Sequence, residues 1–446
     1  MFCSRVLLTI LPPFWPKMPP LGLGYLQSFL TQNKIDAQIL DLNHIFYQLC
    51  DDNLKKQWLV SCNVFLEENI LSIIKTKHAK EYRRAIDELL TYDTIGFSCF
   101  KSNFGTTLEI AELLKSKRED IKIILGGPEI TRQFFKGAGK FDNKIIRLAD
   151  FLVVGEGERP LLSYLKRQNH KKIAIAKPTA IAVFKQLKDL SNLPFPKYPN
   201  LDLGAYPKKD ALPIQFSRGC IRRCGFCSER LLYKGFRTRE VESVIEEIKY
   251  HKENNHANYF VFFDSLLNAD LVKLEDLCAK IIDSFGAINW EAQVAIRDDM
   301  KEDIFAKMKR SGCYNLFVGL ESGSDNTLKK MNKGFTTKGA AGFFEKLDKA
   351  GLSFGVSMIV GYPGETDLDF KESLDFIIQN KGIIPKIEQV NPFTYYDGTD
   401  ADKNYDYKIN KNSLERMGIF IREIKRNNFK YTNAFLGNLV EKDVRV

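Results

Sequence analysis

The chain has 446 residues, enough for two or three domains that each bury a core. With 44% apolar and 27% charged residues it has the composition of an ordinary globular protein, and no run approaches the ~18 apolar residues needed to cross a bilayer. A formal charge of +10 would suit an anionic partner, but lysines scattered over helical stretches account for most of it, so nucleic acid is not the expected partner. Nine cysteines, three of them clustered, are not a disulfide scaffold; they fit a reducing compartment, with the cytoplasm the natural expectation.

Arg5 and the apolar run Val6–Leu11 have the look of a short leader, but Pro12, Pro13 and Pro16 cut the run, which predicts a buried first strand instead. Helical periodicity follows over Leu21–Asn33, then a strand at Asp36–Leu42 and a mainly helical insertion at about 45–92. Strands are predicted at Thr94–Cys99, Ile121–Leu125 and Phe151–Val154, separated by helical stretches. This alternation over residues 1–186 predicts an α/β, Rossmann-like (flavodoxin-like) domain with an open parallel sheet. Two glycine-rich turns, Gly126-Gly127-Pro128-Glu129 and Gly155-Glu156-Gly157-Glu158, close strands at the edge where such sheets bind ligands. Residues 187–212 carry four of the sixteen prolines and little periodicity, and read as a linker.

A second alternating region spans 213–400. Strands are predicted at Pro213–Ser217, Tyr259–Phe263, Trp290–Val294, Leu316–Leu320, Gly355–Val360 and Ile387–Val390, with a helix bearing the stripe Val241, Val244, Ile245 and Ile248 after the first. Six β/α units predict a partial (β/α)6 TIM-type barrel whose site lies at the carboxyl ends of its strands. Residues 401–446 form a basic tail, ten basic against six acidic residues, with a helical stripe of Leu414, Met417, Ile421 and Ile424 expected to pack on the barrel.

Cys220, Cys224 and Cys227 leave the end of the first barrel strand in C-x3-C-x2-C spacing, with no fourth ligand nearby and without the paired C-x2-C hooks of zinc ribbons. Three thiolates on one loop can each take one iron of a cubane and leave the fourth iron open to a small molecule. Arg218, Arg222, Arg223 and Arg230 flank the loop and are expected to lower the thiol pKa values.

This loop, with Phe226 before the third cysteine, resembles the cluster-binding motif of the radical S-adenosylmethionine (SAM) superfamily. The resemblance implies a 4Fe-4S cluster on Cys220, Cys224 and Cys227, and a series of SAM contacts at successive strand ends. Asp264 stands where an acidic turn holds the amino group, although Ser265 replaces a second acid. Arg297 is expected at the SAM carboxylate, Glu321 at the ribose hydroxyls, and Gly361 with Pro363 near the adenine. The GGP and GEGE turns resemble those of the cobalamin-binding branch (class B methyltransferase-like), which implies cobalamin contacts at Gly126, Gly127, Pro128, Gly155, Glu156 and Gly157. The chain lacks the D-x-H-x-x-G pattern that supplies a histidine to cobalt; His44 reads as a helix-start histidine and Cys99 as a buried apolar residue.

By this resemblance the chain is an enzyme that reductively cleaves SAM to a 5'-deoxyadenosyl radical and methylates an unactivated carbon of a small-molecule or natural-product substrate through cobalamin. It would take electrons from a donor such as flavodoxin or ferredoxin. The alternatives are a cobalamin-dependent cyclase or rearrangement enzyme, an RNA methylthiotransferase, and a non-catalytic corrinoid or electron carrier. The methylthiotransferase needs a second cluster on three N-terminal cysteines, and Cys3, Cys50, Cys62 and Cys99 lack its local motif.

Overall fold

The computed structural model describes residues 5–64, 70–168, 179–394, 396–401 and 411–432. The chain divides into two compact units, Met1–Leu212 with Leu231–Lys234, and Pro213–Arg230 with Gly235–Val446.

In the first unit, β1 (Val6–Ile10), β2 (Ala37–Asp41), β3 (Thr94–Ser98), β4 (Lys122–Gly126), β5 (Phe151–Val154) and β6 (Ala180–Val183) form one sheet in the order β2-β1-β3-β4-β5-β6. The paired strands run parallel. β1 is buried along its whole length, as a strand covered on both faces must be, which is why it reads as an unbroken apolar run. Leu7 faces a core built with the insertion helices, where Trp58, Ile74 and Leu89 are buried, whereas Val6 and Leu8 face the core formed with Leu23, Leu30, Leu161 and Leu165. The insertion is helical as expected: α2 (Leu42–Leu49), α3 (Asp52–Val64), α4 (Ile70–Lys77) and α5 (Ala79–Leu89). Around them, α1 (Leu21–Gln32), α6 (Phe104–Lys117), α7 (Pro128–Lys136), α8 (Asn143–Leu148) and α9 (Glu158–Gln168) complete the alternation. Asp41 caps α2 by accepting the His44 amide. Sequence patterning missed β6, a four-residue edge strand with Ile181 and Val183 exposed, too short to show a period.

The second unit holds β7 (Ala211–Ile214), β8 (Ser217–Arg218), α10 (Glu229–Leu232), β9 (Arg237–Thr238), α11 (Val241–Asn255), β10 (Tyr259–Phe262), α12 (Leu271–Phe285), β11 (Asn289–Val294), α13 (Glu302–Arg310), β12 (Cys313–Glu321), α14 (Asp325–Lys330), α15 (Thr337–Lys349), β13 (Phe354–Val360), α16 (Asp367–Gln379), β14 (Lys386–Pro392), α17 (Lys411–Arg426) and β15 (Lys430–Tyr431). β7 and α10 each run across a boundary between the units.

Its main sheet has seven strands in the order β15-β14-β13-β12-β11-β10-β7. Two boundaries differ from expectation. The first strand begins at Ala211, inside the predicted linker, and the tail supplies not only a helix but also β15, which pairs parallel with β14. In α17, Met417, Ile421 and Ile424 are buried as expected, while Leu414 is 39% exposed and Phe420 takes its place in the core.

Candidate active site

The three-cysteine loop is framed and clamped by backbone. β8 and β9 pair antiparallel at its base, and Gly219, at φ 85°, lies so close to Gly235 that an added Cβ would stand 2.3 Å from the Gly235 carbonyl oxygen. Only glycine fits there. The Gly225 amide donates to the Met331 carbonyl at 2.9 Å, its own carbonyl accepts the Ala401 amide at 2.9 Å, and Asn332 donates to the Arg223 carbonyl at 2.8 Å. Arg222 reaches the Ile296 carbonyl at 2.7 Å. Phe226 anchors the loop in a small core with Met331, Tyr362, Phe393 and Ala401.

All three thiols are free and half-buried. Burial pushes the Cys227 thiol up to about 12 and raises Cys220, against a smaller lowering of Cys220 by Arg222. The expected lowering by flanking arginines is therefore corrected: Arg222 is engaged by a backbone carbonyl and Arg230 pairs with Asp400, so burial dominates. Among the described residues no group of three His, Cys, Asp or Glu side chains is arranged to hold a single metal ion. A cubane presents a different iron to each thiolate, so its loop need not aim three sulfurs at one point.

Beside the loop, the end of β12 carries Glu321 in a left-handed conformation, φ 72°, at an irregularity in the β12–β13 register. Such backbone in a non-glycine residue costs about 1–3 kcal/mol and is found where function requires a fixed side chain. The Glu321 carboxylate accepts from Ser357 at 3.0 Å and lies 3.4 Å from the Lys333 ammonium. Lys333, only 8% exposed, also stands over the rings of Phe226 and Phe335, 5.8 and 5.6 Å from their centroids. Lys333 was not singled out in the sequence. The signal available was its position in Met331-Asn332-Lys333-Gly334, the same segment that clamps the cysteine loop.

The other predicted positions fall differently. Arg297 spends its guanidinium on Asp299, at 2.8 and 2.6 Å, and on the Asn268 and Ala269 carbonyls, both at 2.7 Å. Asp264 is buried and accepts from the Phe216 amide at 3.1 Å and from both the amide and hydroxyl of Ser217, tying the end of β10 to the base of the cysteine loop. Burial raises its pKa to about 6 in spite of these donors. Both side chains thus have positioning partners where the sequence suggested ligand contacts. Gly361, at φ 73°, opens the turn through Tyr362, Pro363 and Gly364 and donates its amide to Glu365 at 2.7 Å. Tyr362 meets Phe226 edge-on, ring centroids 6.4 Å apart. Lys333, with Glu321 beside it, and Tyr362 thus reach the loop from separate segments through Phe226.

Residues 214–377, which carry all of these positions, match the model of the radical SAM superfamily. The chain carries a radical SAM domain. Such a domain works with a 4Fe-4S cluster and SAM. Among relatives, the chain is 25% identical over 416 residues to an uncharacterized methyltransferase of Pyrococcus horikoshii, covering 90% of this chain and 80% of that one. It is 27% identical over 207 residues to the ribosomal protein uS12 methylthiotransferase RimO of Bacteroides fragilis, covering 44% of this chain and 47% of that one. Among solved structures, it resembles the radical SAM methyltransferase TsrM of Kitasatospora setae, solved with cobalamin and a [4Fe-4S] cluster, with a TM-score of 0.68 at 15% identity, over 90% of this chain and 77% of that one. That likeness extends beyond the radical SAM domain to the fold of the first unit.

In this radical SAM chain the two glycine turns of the first unit lie at the carboxyl ends of β4 and β5 and are joined by a hydrogen bond from the Gly155 amide to the Thr131 hydroxyl at 2.9 Å. Their glycines answer to packing. A Cβ on Gly127, φ 100°, would stand 2.7 Å from the Cys99 carbonyl oxygen, and one on Gly157 would meet Leu26 at 3.0 Å. Pro128 occupies the first turn of α7, and Glu156 is buried. The switch point between β1 and β3 is held by Asn103, a fully buried residue the sequence reading passed over, which donates to the Leu11 and Ser98 carbonyls at 3.0 and 3.3 Å and accepts the Phe100 amide at 2.8 Å.

Proposed function

We propose that this radical SAM enzyme methylates an unactivated carbon of a small-molecule or natural-product substrate with the help of cobalamin. The observation that carries the radical SAM part is the assembly of Glu321, Lys333 and Tyr362 on Phe226 of the three-thiol loop. When bound, a 4Fe-4S cluster on Cys220, Cys224 and Cys227 supplies the electron that cleaves SAM, and cobalamin supplies the methyl group. The chain's own residues bind and orient. Glu321, fixed by Ser357 and Lys333, would accept from ribose hydroxyls, and the Gly361–Pro363 turn would lie at the adenine. Lys333, beside Glu321 and over two aromatic faces, would be the cation for the SAM carboxylate. Asp264 and Arg297 hold the strand ends that frame these groups.

The cobalamin part is supported by the doubly wound strand order of the first unit and by its likeness to TsrM, a structure with cobalamin bound; Gly126, Gly127, Pro128, Gly155, Glu156 and Gly157 would line the ligand edge of that sheet. The RimO relative favours methylthiotransfer as a second reading. Against it, Cys50, Cys62 and Cys99 are buried in one apolar core, and burial pushes the first two up to about 11 and about 12. Cys3 lies outside the described residues.

The test is the visible spectrum of anaerobically purified protein together with its products. Cluster and corrinoid absorbance, methylated product and S-adenosylhomocysteine are expected. Iron and sulfide near eight per chain would favour the methylthiotransferase. SAM cleavage without methylated product would favour a cyclase or rearrangement enzyme.

A further inference from the structure

The tail helix is wired into the Gly361 turn. Arg416 of α17 is 6% exposed. Its guanidinium donates to the Glu365 carboxylate at 2.7 Å and to the Glu365 carbonyl at 3.0 Å, and its other branch donates to Asp367 at 2.6 Å. The plane also lies over the Phe370 ring, 5.4 Å from its centroid. Glu365, whose side chain is 1% exposed, passes the contact on: the same oxygen that receives Arg416 receives the Gly361 amide at 2.7 Å.

A second contact from the same helix reaches the same residue. Ser413, 1% exposed, lies where a Cβ on Gly361 would be, its hydroxyl 2.2 Å from that position. The helix cannot drift easily, because Met417, Phe420, Ile421 and Ile424 are buried and β15, just beyond it, pairs with β14. Burying a charged pair is costly in itself, so it is poor evidence for added stability. A forked guanidinium holding two acids and a carbonyl does, however, fix geometry.

We propose that Arg416 is a positioning residue for SAM: through Glu365 it sets the left-handed Gly361 turn, and thereby the affinity for the adenosyl end of SAM. The proposal rests on the reading of the Gly361–Pro363 turn as a SAM contact. It gives the tail a part in cofactor binding, beyond covering apolar surface.

The test uses the full chain with its cluster reconstituted anaerobically. Equilibrium SAM binding, the KM for SAM and kcat for 5'-deoxyadenosine release, iron and sulfide content and melting temperature are compared for wild type, Arg416→Met and Arg416→Lys. The Met variant is expected to weaken SAM binding and raise KM roughly tenfold, the scale on which small misplacements act, with kcat changed less than about twofold and cluster content unchanged. The Lys variant should recover part of the affinity, since one ammonium reaches Glu365 but cannot fork to Asp367.

SAM affinity unchanged in a well-loaded Met variant overturns the proposal. Failure of the wild type to bind SAM overturns the reading of the turn instead. Should the Met variant fail to load its cluster, Glu365→Gln carries the test. It keeps an acceptor for the Gly361 amide but removes the charge that holds Arg416; a several-fold rise in KM supports the proposal and an unchanged KM overturns it.

Discussion

The two sheets are both parallel and both end in glycine-rich turns, yet they use their strand ends differently. In the first, the order β2-β1-β3 reverses direction beside β1, the doubly wound pattern that leaves a crevice at the switch point. Its turns spend Gly127 and Gly157 on close packing, against the Cys99 backbone and the Leu26 side chain. In the second, each strand from β10 to β15 is added on the same side and runs parallel to the last, so that successive carboxyl ends lie along one edge. There the turns carry side chains, and Phe226, Glu321, Lys333 and Tyr362 meet. One edge is shaped by glycine packing, the other by side chains in mutual contact.

The largest effect that would break this contrast is loss of a thiol. Replacing Cys220, Cys224 or Cys227 with Ala should abolish cluster loading and SAM cleavage, read as iron content and 5'-deoxyadenosine, while proteolysis finds the first unit still folded. Wild-type turnover in such a variant would overturn the cluster assignment. A smaller effect sharpens the choice between two cations. Lys333→Met should raise the KM for SAM by roughly 30-fold, the scale of a lost charge-assisted hydrogen bond near 2 kcal/mol. Arg297→Met should chiefly lower thermal stability, because its guanidinium is taken up by Asp299 and two carbonyls. The reverse ranking would return the carboxylate to Arg297. The smallest is in the first unit. Gly127→Ala should destabilise it by about 1–3 kcal/mol in denaturant titration, since the new Cβ meets the Cys99 carbonyl in a left-handed conformation. Unchanged stability with lost corrinoid absorbance would show that this turn serves a ligand after all.

Much of the fold was legible because it is periodic. The apolar run of β1, the stripe of α11 and the prolines before β7 locate their elements without any tertiary knowledge. The missed β6 and β15 have four and two residues, too few to carry a period, and exist because a neighbouring strand edge was there to pair with. The cysteine loop was legible for a chemical reason, since three thiols within eight residues have few other uses. Partner choice was not. Arg297 and Lys333 are both cations near strand ends, and the sequence pattern favoured the one whose neighbour two residues on, Asp299, takes up its fork.

The sequence by itself determined that two alternating α/β regions flank a proline-rich connection and that the second opens on a three-cysteine loop with metal-ligand spacing, because hydrophobic period and ligand spacing are local properties. Only the tertiary structure decided that Lys333 stands between Phe226 and Glu321, that Asp264 braces the loop, and that Arg416 reaches back to the Gly361 turn. Those contacts join residues 12 to 107 positions apart, and which long-range partner a charged side chain finds depends on how the strands are wound.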